Sequence, residues 1–144
     1  MPIVYFDASA LVKLVVDEQG SELAAALWDG CDAALSSRLA YPEVCGALAA
    51  AERNHQLTTD LHEVARTLWD RYWNAMRPIE ITDRIARRAG ELAREHALRG
   101  SDAVHLASAL VLDVDDLVVA AWDRRMRAGA VAAAMSVAPS QLEV

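Results

Sequence analysis

The stretch Pro2-Ile3-Val4-Tyr5-Phe6-Asp7-Ala8-Ser9-Ala10-Leu11 decides the reading of the fold. Four apolar residues in a row, opened by a proline, predict a short strand buried on both faces, the environment of a parallel sheet. The run breaks at Asp7, and Ala8 to Val16 takes up a helical pattern. A strand followed at once by an acid and a helix opens an α/β unit, in which ligands gather outside the carboxyl ends of the strands.

The same alternation continues outward. Gly20-Ser21 caps a second helix ending near Gly30, Ala33 to Ser36 forms a second strand, and Leu39 to Arg53 a third helix with Pro42 in its first turn. Asp60 with Glu63 reads as a capping box for a long helix to about Met76. Pro78 to Ile81 follows as a strand, then a helix starting at Thr82 or Asp83 and stopping at Gly100, then one capped by Ser101 and running to about Leu112. Leu117 to Ala121, Arg124 to Ala134 and Met135 to Ala138 complete the series as strand, helix and strand. The expected fold is α/β: a three-layer α/β/α sandwich with a mainly parallel sheet of four to five strands, in one domain over residues 1–144.

Composition narrows the function. With 54% hydrophobic and 24% charged residues, the chain is globular and not disordered. A formal net charge of −7 argues against a basic surface wrapped by nucleic acid. Cys31 and Cys45 fit no zinc pattern and suit a reducing compartment. No apolar stretch is long enough for a membrane span, and no basic residue precedes the first apolar run as in a signal peptide, so the expected location is the cytoplasm, away from membranes.

Four acids fall where an open α/β sheet places ligands. Asp7 and Asp123 follow predicted strands directly, Glu43 lies early in the helix after the second strand, and Asp102 opens a helix. Each Asp is also an ordinary residue for a helix start, where a carboxylate caps free N–H groups, and Glu43 is ordinary if it faces solvent in a first turn. If they converge, their repulsion calls for divalent cations, and Mg²⁺ or Mn²⁺ suits an all-oxygen donor set. One or two such ions would equip the site for phosphodiester hydrolysis. On the residues alone two other readings stay open. One is another acidic-site α/β phosphoesterase, although Ser9 stands where a haloacid-dehalogenase-like enzyme needs its second Asp. The other is a non-catalytic interaction module.

Four segments carry a resemblance to a known family. Val4 to Leu14, with Asp7-Ala8-Ser9 after the strand, is similar to the opening of PIN-domain proteins. Ser36-Ser37-Arg38-Leu39-Ala40-Tyr41-Pro42-Glu43-Val44 resembles their second motif, Ser101-Asp102-Ala103-Val104-His105-Leu106-Ala107 their acidic helix, and Trp122-Asp123-Arg124-Arg125-Met126 their last motif. The subgroup most resembled is the VapC toxin of toxin–antitoxin pairs. The resemblance implies a metal-dependent endoribonuclease whose acidic site is Asp7, Glu43, Asp102 and Asp123, with Ser9 supporting it by hydrogen bonding. It also implies a homodimer, a VapB-type antitoxin as partner, and tRNA or rRNA as substrate. Where members often carry Ser or Thr two residues before the last acid, this chain has Ala121.

Other residues divide between packing and contact. His105, three residues after Asp102, reads as a core histidine, because hard Mg²⁺ prefers oxygen. The stripe Leu61, Val64, Leu68, Trp69, Tyr72 and Trp73 is wider than a core-facing stripe requires, so part of it is expected to face a second copy or a partner helix. Arginines cluster over residues 84–99 and again after Asp123, and Arg99, Arg124 and Arg125 are the candidate RNA contacts.

Overall fold

Residues 2–142 are described by the computed structural model. Among them, five strands form one sheet: β1 (Ile3–Phe6), β2 (Ala33–Ser37), β3 (Arg77–Ile79), β4 (Leu117–Ala120) and β5 (Ser136–Ala138). Their order is β3-β2-β1-β4-β5, and every neighbouring pair is parallel. Seven helices connect them: α1 (Ala8–Val15), α2 (Ser21–Gly30), α3 (Ala40–Arg53), α4 (Thr59–Ala75), α5 (Asp83–His96), α6 (Gly100–Leu110) and α7 (Arg124–Ala132).

The period-2 geometry of a strand splits β1 between two cores. Val4 and Phe6 point into a cluster with Leu11 and Leu14 of α1, Val44 and Leu48 of α3, and Trp69 of α4. Tyr5 points into the opposite cluster with Leu92 of α5, Leu106 of α6, Val119 of β4 and Met126 of α7. Helices thus cover both faces, as an all-parallel sheet requires, and the expected α/β/α sandwich is present. The strand order reverses at β1. The chain winds outward through β2 and β3, then crosses to β4 on the other side. The carboxyl ends of β1 and β4 form this switch point, where open α/β sheets bind ligands. The Asp7 N–H donates to the Ala120 carbonyl at 3.1 Å and closes the two strand ends together.

Several boundaries differ from expectation for local reasons. The long helix α4 is capped by Thr58, whose hydroxyl accepts the Leu61 N–H at 3.2 Å. The Asp60–Glu63 capping box is absent, and Glu63 instead pairs with Arg66. Gly100 does not stop a helix. Ala97 does so at φ 51°, and Gly100 is the first residue of α6. Ser101 is then inside α6, and Arg99 takes the cap position with an extended backbone and no side-chain cap bond. Buried Leu98 anchors the short corner between the two helices. The third strand ends at Ile79, and Glu80 leaves the sheet to pair with Arg38. Pro78 is tolerated because β3 is an edge strand.

The aromatic stripe divides within α4. Trp69 is fully buried and stacks on Tyr41 of α3, with 6.0 Å between ring centroids. Trp73 is half-buried against both rings, with the Arg38 guanidinium over its face. The large apolar residues that α4 exposes are Leu61 and Val64, at 54% and 62%. Trp69 is therefore a core residue, and the accessible apolar surface lies one to two turns earlier in the helix.

Candidate active site

Asp7 caps α1. Its Oδ1 accepts the Ala10 N–H at 3.0 Å and the Ser9 hydroxyl at 2.6 Å. Among the described residues, Oδ2 receives no hydrogen bond. The side chain is buried, and burial pushes its carboxyl up to about 6, with His105 and then the two hydrogen bonds opposing the rise and the Asp123 charge adding to it. The Ser9 oxygen also serves as an acceptor, taking the Trp122 N–H at 3.0 Å. One hydroxyl therefore joins the acid after β1 to the segment after β4. Ala121 is fully buried in the second core, and its carbonyl accepts from Arg127 Nη1 at 2.9 Å.

Asp123 caps α7, with Oδ1 accepting the N–H groups of Arg125 and Met126, each at 3.0 Å. Asp102 lies in the first turn of α6 and is 7% exposed. Arg99 spans these two acids. Its Nε donates to Asp102 Oδ2 at 2.9 Å and its Nη2 to Asp123 Oδ2 at 3.2 Å. These bonds and the charges of Asp102, Asp123 and Glu43 raise the Arg99 pKa above its ordinary value. Glu43, in the first turn of α3, is hydrogen-bonded through Oε1 to His105 Nε2 at 2.6 Å. The Nδ1 of the same ring lies 2.7 Å from the Tyr5 hydroxyl.

The four acids singled out in the sequence thus face one region at the switch point. Asp7 and Asp123 act on each other, and Arg99 sits in the field of the other three. Among the described residues, no three ligating side chains stand preassembled as a metal cage. The donor set is nonetheless carboxylate oxygen throughout, the chemistry Mg²⁺ and Mn²⁺ select. Arg99 holds a positive charge between Asp102 and Asp123, where a cation belongs. The donor chemistry fits a divalent ion, and Arg99 bridges two of the carboxylates that would hold it.

The remaining basic candidates separate by partner. Arg87 and Arg88 pair with Asp83 and Glu91 along the outer face of α5. Arg124 and Arg125 are exposed at the start of α7. Arg124 also lines a cavity of about 390 Å³ with Lys13, Gly20, Trp122 and Pro139. Sequence reasoning missed the ties of His105 to Glu43 and Tyr5. The visible signal was only that His105 shares a helix face with Asp102.

Comparison with known proteins identifies the family. The family model described as "PIN domain" matches residues 4–131. The chain is 63% identical over 143 residues to "Ribonuclease VapC45" of Mycobacterium tuberculosis (strain CDC 1551 / Oshkosh), covering 99% of each. Among solved structures, it is similar in fold to Mycobacterium tuberculosis VapC20, described as a sarcin-ricin loop cleaving toxin, with a TM-score of 0.65 and 17% identity over 87% of this chain and 93% of that one. A toxin–antitoxin complex from Klebsiella pneumoniae matches with a TM-score of 0.60 and 22% identity over 83% of this chain and 86% of that one. The match over most of its length, together with the near-full-length identity to a VapC ribonuclease, shows that the chain belongs to the PIN-domain family, as a VapC-type endoribonuclease.

Proposed function

We propose that the chain cleaves cellular RNA, tRNA or rRNA, as the toxin of a VapBC pair, with Asp7, Glu43, Asp102 and Asp123 holding one or two Mg²⁺ or Mn²⁺ ions. The observation that carries this reading is the arrival of four carboxylates from four elements at the β1/β4 switch point. The chemistry such an ion supplies when bound is charge stabilisation of an in-line displacement at phosphorus and a lowered pKa for water. Ser9 fixes Asp7 by hydrogen bonding. Asp123 holds its rotamer through two backbone amides of α7. Arg99, Arg124 and Arg125 supply positive charge for the phosphates that flank the scissile bond.

A homodimer and a VapB-type antitoxin complete the proposal. The exposed Leu61 and Val64 of α4 offer an apolar patch for either contact. The names of the related proteins support an antitoxin partner and an RNA substrate. With 14 bases against 21 acids, the chain is suited to holding RNA locally and not by wrapping.

Chelation tests the core of the proposal. Purified, metal-free protein should leave ribosomal and transfer RNA intact, and added Mg²⁺ or Mn²⁺ should restore cleavage at discrete ends. Undiminished cleavage in excess chelator would overturn the metal assignment. A second expectation concerns the path of the RNA. Replacing Arg124 or Arg125 with Gln should reduce the slope of log affinity against log salt by about 0.7 per lost phosphate contact on single-stranded RNA. An unchanged slope would place that arginine off the path.

A further inference from the structure

The side chains of Tyr5, His105 and Glu43 form a continuous hydrogen-bonded line from the sheet to the acidic site. Tyr5 is fully buried and His105 is 2% exposed. The phenol and imidazole meet edge to face, with centroids 5.8 Å apart and planes at 76°. Both ring nitrogens have partners, Nδ1 at 2.7 Å from the Tyr5 hydroxyl and Nε2 at 2.6 Å from Glu43 Oε1. No ring nitrogen is left for a metal.

We infer that His105 is a positioning residue for Glu43, held by Tyr5 in the tautomer that carries its proton on Nε2. This rests on the reading of Glu43 as part of the metal site. The Tyr5 phenol carries an O–H that can donate to a ring nitrogen. With that proton directed at Nδ1, the ring proton sits on Nε2 and is donated to Glu43 Oε1. The opposite tautomer would set the lone pairs of Nε2 and Oε1 against each other. The phenol thus acts through the ring to tie down Oε1, which leaves Oε2 for an ion or a water.

The chain of residues also explains the composition of the helix motif. Asp102 and His105 are three apart on α6, so one helix face delivers an acid and the support for another acid. Glu43 comes from α3, across the carboxyl edge of the sheet, and His105 is its tether to the opposite layer. Ligating carboxylates that lose such partners typically lose about 10–100-fold in metal affinity or activity.

The test compares four variants of the full chain in the absence of RNA, with Mn²⁺ binding followed by electron paramagnetic resonance. His105→Leu should weaken Mn²⁺ binding about 10-fold or more. His105→Gln, whose amide N–H can reach Glu43, should recover most of the affinity. Tyr5→Phe should leave thermal stability close to wild type and weaken binding less than His105→Leu. Long-range ¹⁵N–¹H correlation spectra of the metal-free wild type should show Nε2 protonated and Nδ1 bare. The positioning role is overturned if Mn²⁺ affinity survives His105→Leu, if Gln fails to recover it while folding normally, or if the spectra show Nδ1 protonated. Glu43→Gln separates the two levels: loss of affinity there with none in His105→Leu rejects His105 alone, and full affinity in Glu43→Gln rejects the underlying site.

Discussion

Asp7→Asn is expected to lower metal-dependent RNA cleavage by roughly 10²–10³-fold or more, the scale seen when one electrostatic group is removed from a reacting centre. The reason lies in what the change keeps. Asn is as good a helix cap as Asp, and its side-chain oxygen can still accept from the Ala10 N–H and the Ser9 hydroxyl. The join between Ser9 and Trp122 is untouched. Only the charge and the oxygen free for an ion are lost, because the amide turns Oδ2 into a donor. Cleavage rates measured under single-turnover conditions, with circular dichroism as the control for folding, check this. A folded variant that cleaves at the wild-type rate would remove Asp7 from the site.

The same substitution should remove a pH effect on stability. In the folded, metal-free chain the Asp7 carboxyl is raised to about 6 from an unfolded value of 3.8, chiefly by burial. A raised carboxyl binds its proton more tightly when folded, so its favourable contribution is complete below the unfolded value. The contribution is then lost as pH climbs through the window from 3.8 to about 6. A shift of this size corresponds to roughly 3 kcal/mol of destabilisation at neutral pH. Asp7→Asn should therefore be more stable than the wild type at pH 7 by up to about that amount, with the two converging near pH 4. Urea unfolding in chelator at both pH values measures the difference. Parallel changes in the two proteins would contradict it. An ion that binds only the folded wild type should narrow the gap by mass action.

Much of this was legible in the sequence because it depends on local rules. The apolar run Ile3–Phe6 marked a strand buried on both faces, and the acids after β1 and β4 followed from where parallel sheets bind ligands. Asp7 and Asp123 each cap a helix at the carboxyl edge of the sheet, so capping does not argue against the role proposed for them. What was not legible depends on chain segments far apart in sequence. Arg99 reaches Asp123 across 24 positions, His105 reaches Glu43 across 62, and the Tyr5–His105 contact spans 100. Periodicity carries no information about such pairs. The misplaced caps have a different origin. Thr58 and Asp60 are both good capping residues, and it is the Thr58 hydroxyl that takes the cap by accepting the Leu61 N–H. At the α5–α6 corner, buried Leu98 decides where one helix ends, and the glycine two residues later is left to begin the next.

The central place of β1 has a consequence for synthesis. Of the sheet's described strands this one is made first, but its neighbour β4 lies more than a hundred residues later in the chain. Closing so long a loop is slow and cannot precede translation of the second partner. Until Asp123 has been made and β4 has docked, the growing polypeptide has an incomplete acidic cluster and an unpaired strand edge. Metal binding by the proposed site is thus a late event of folding, coupled to the docking of β4 beside β1.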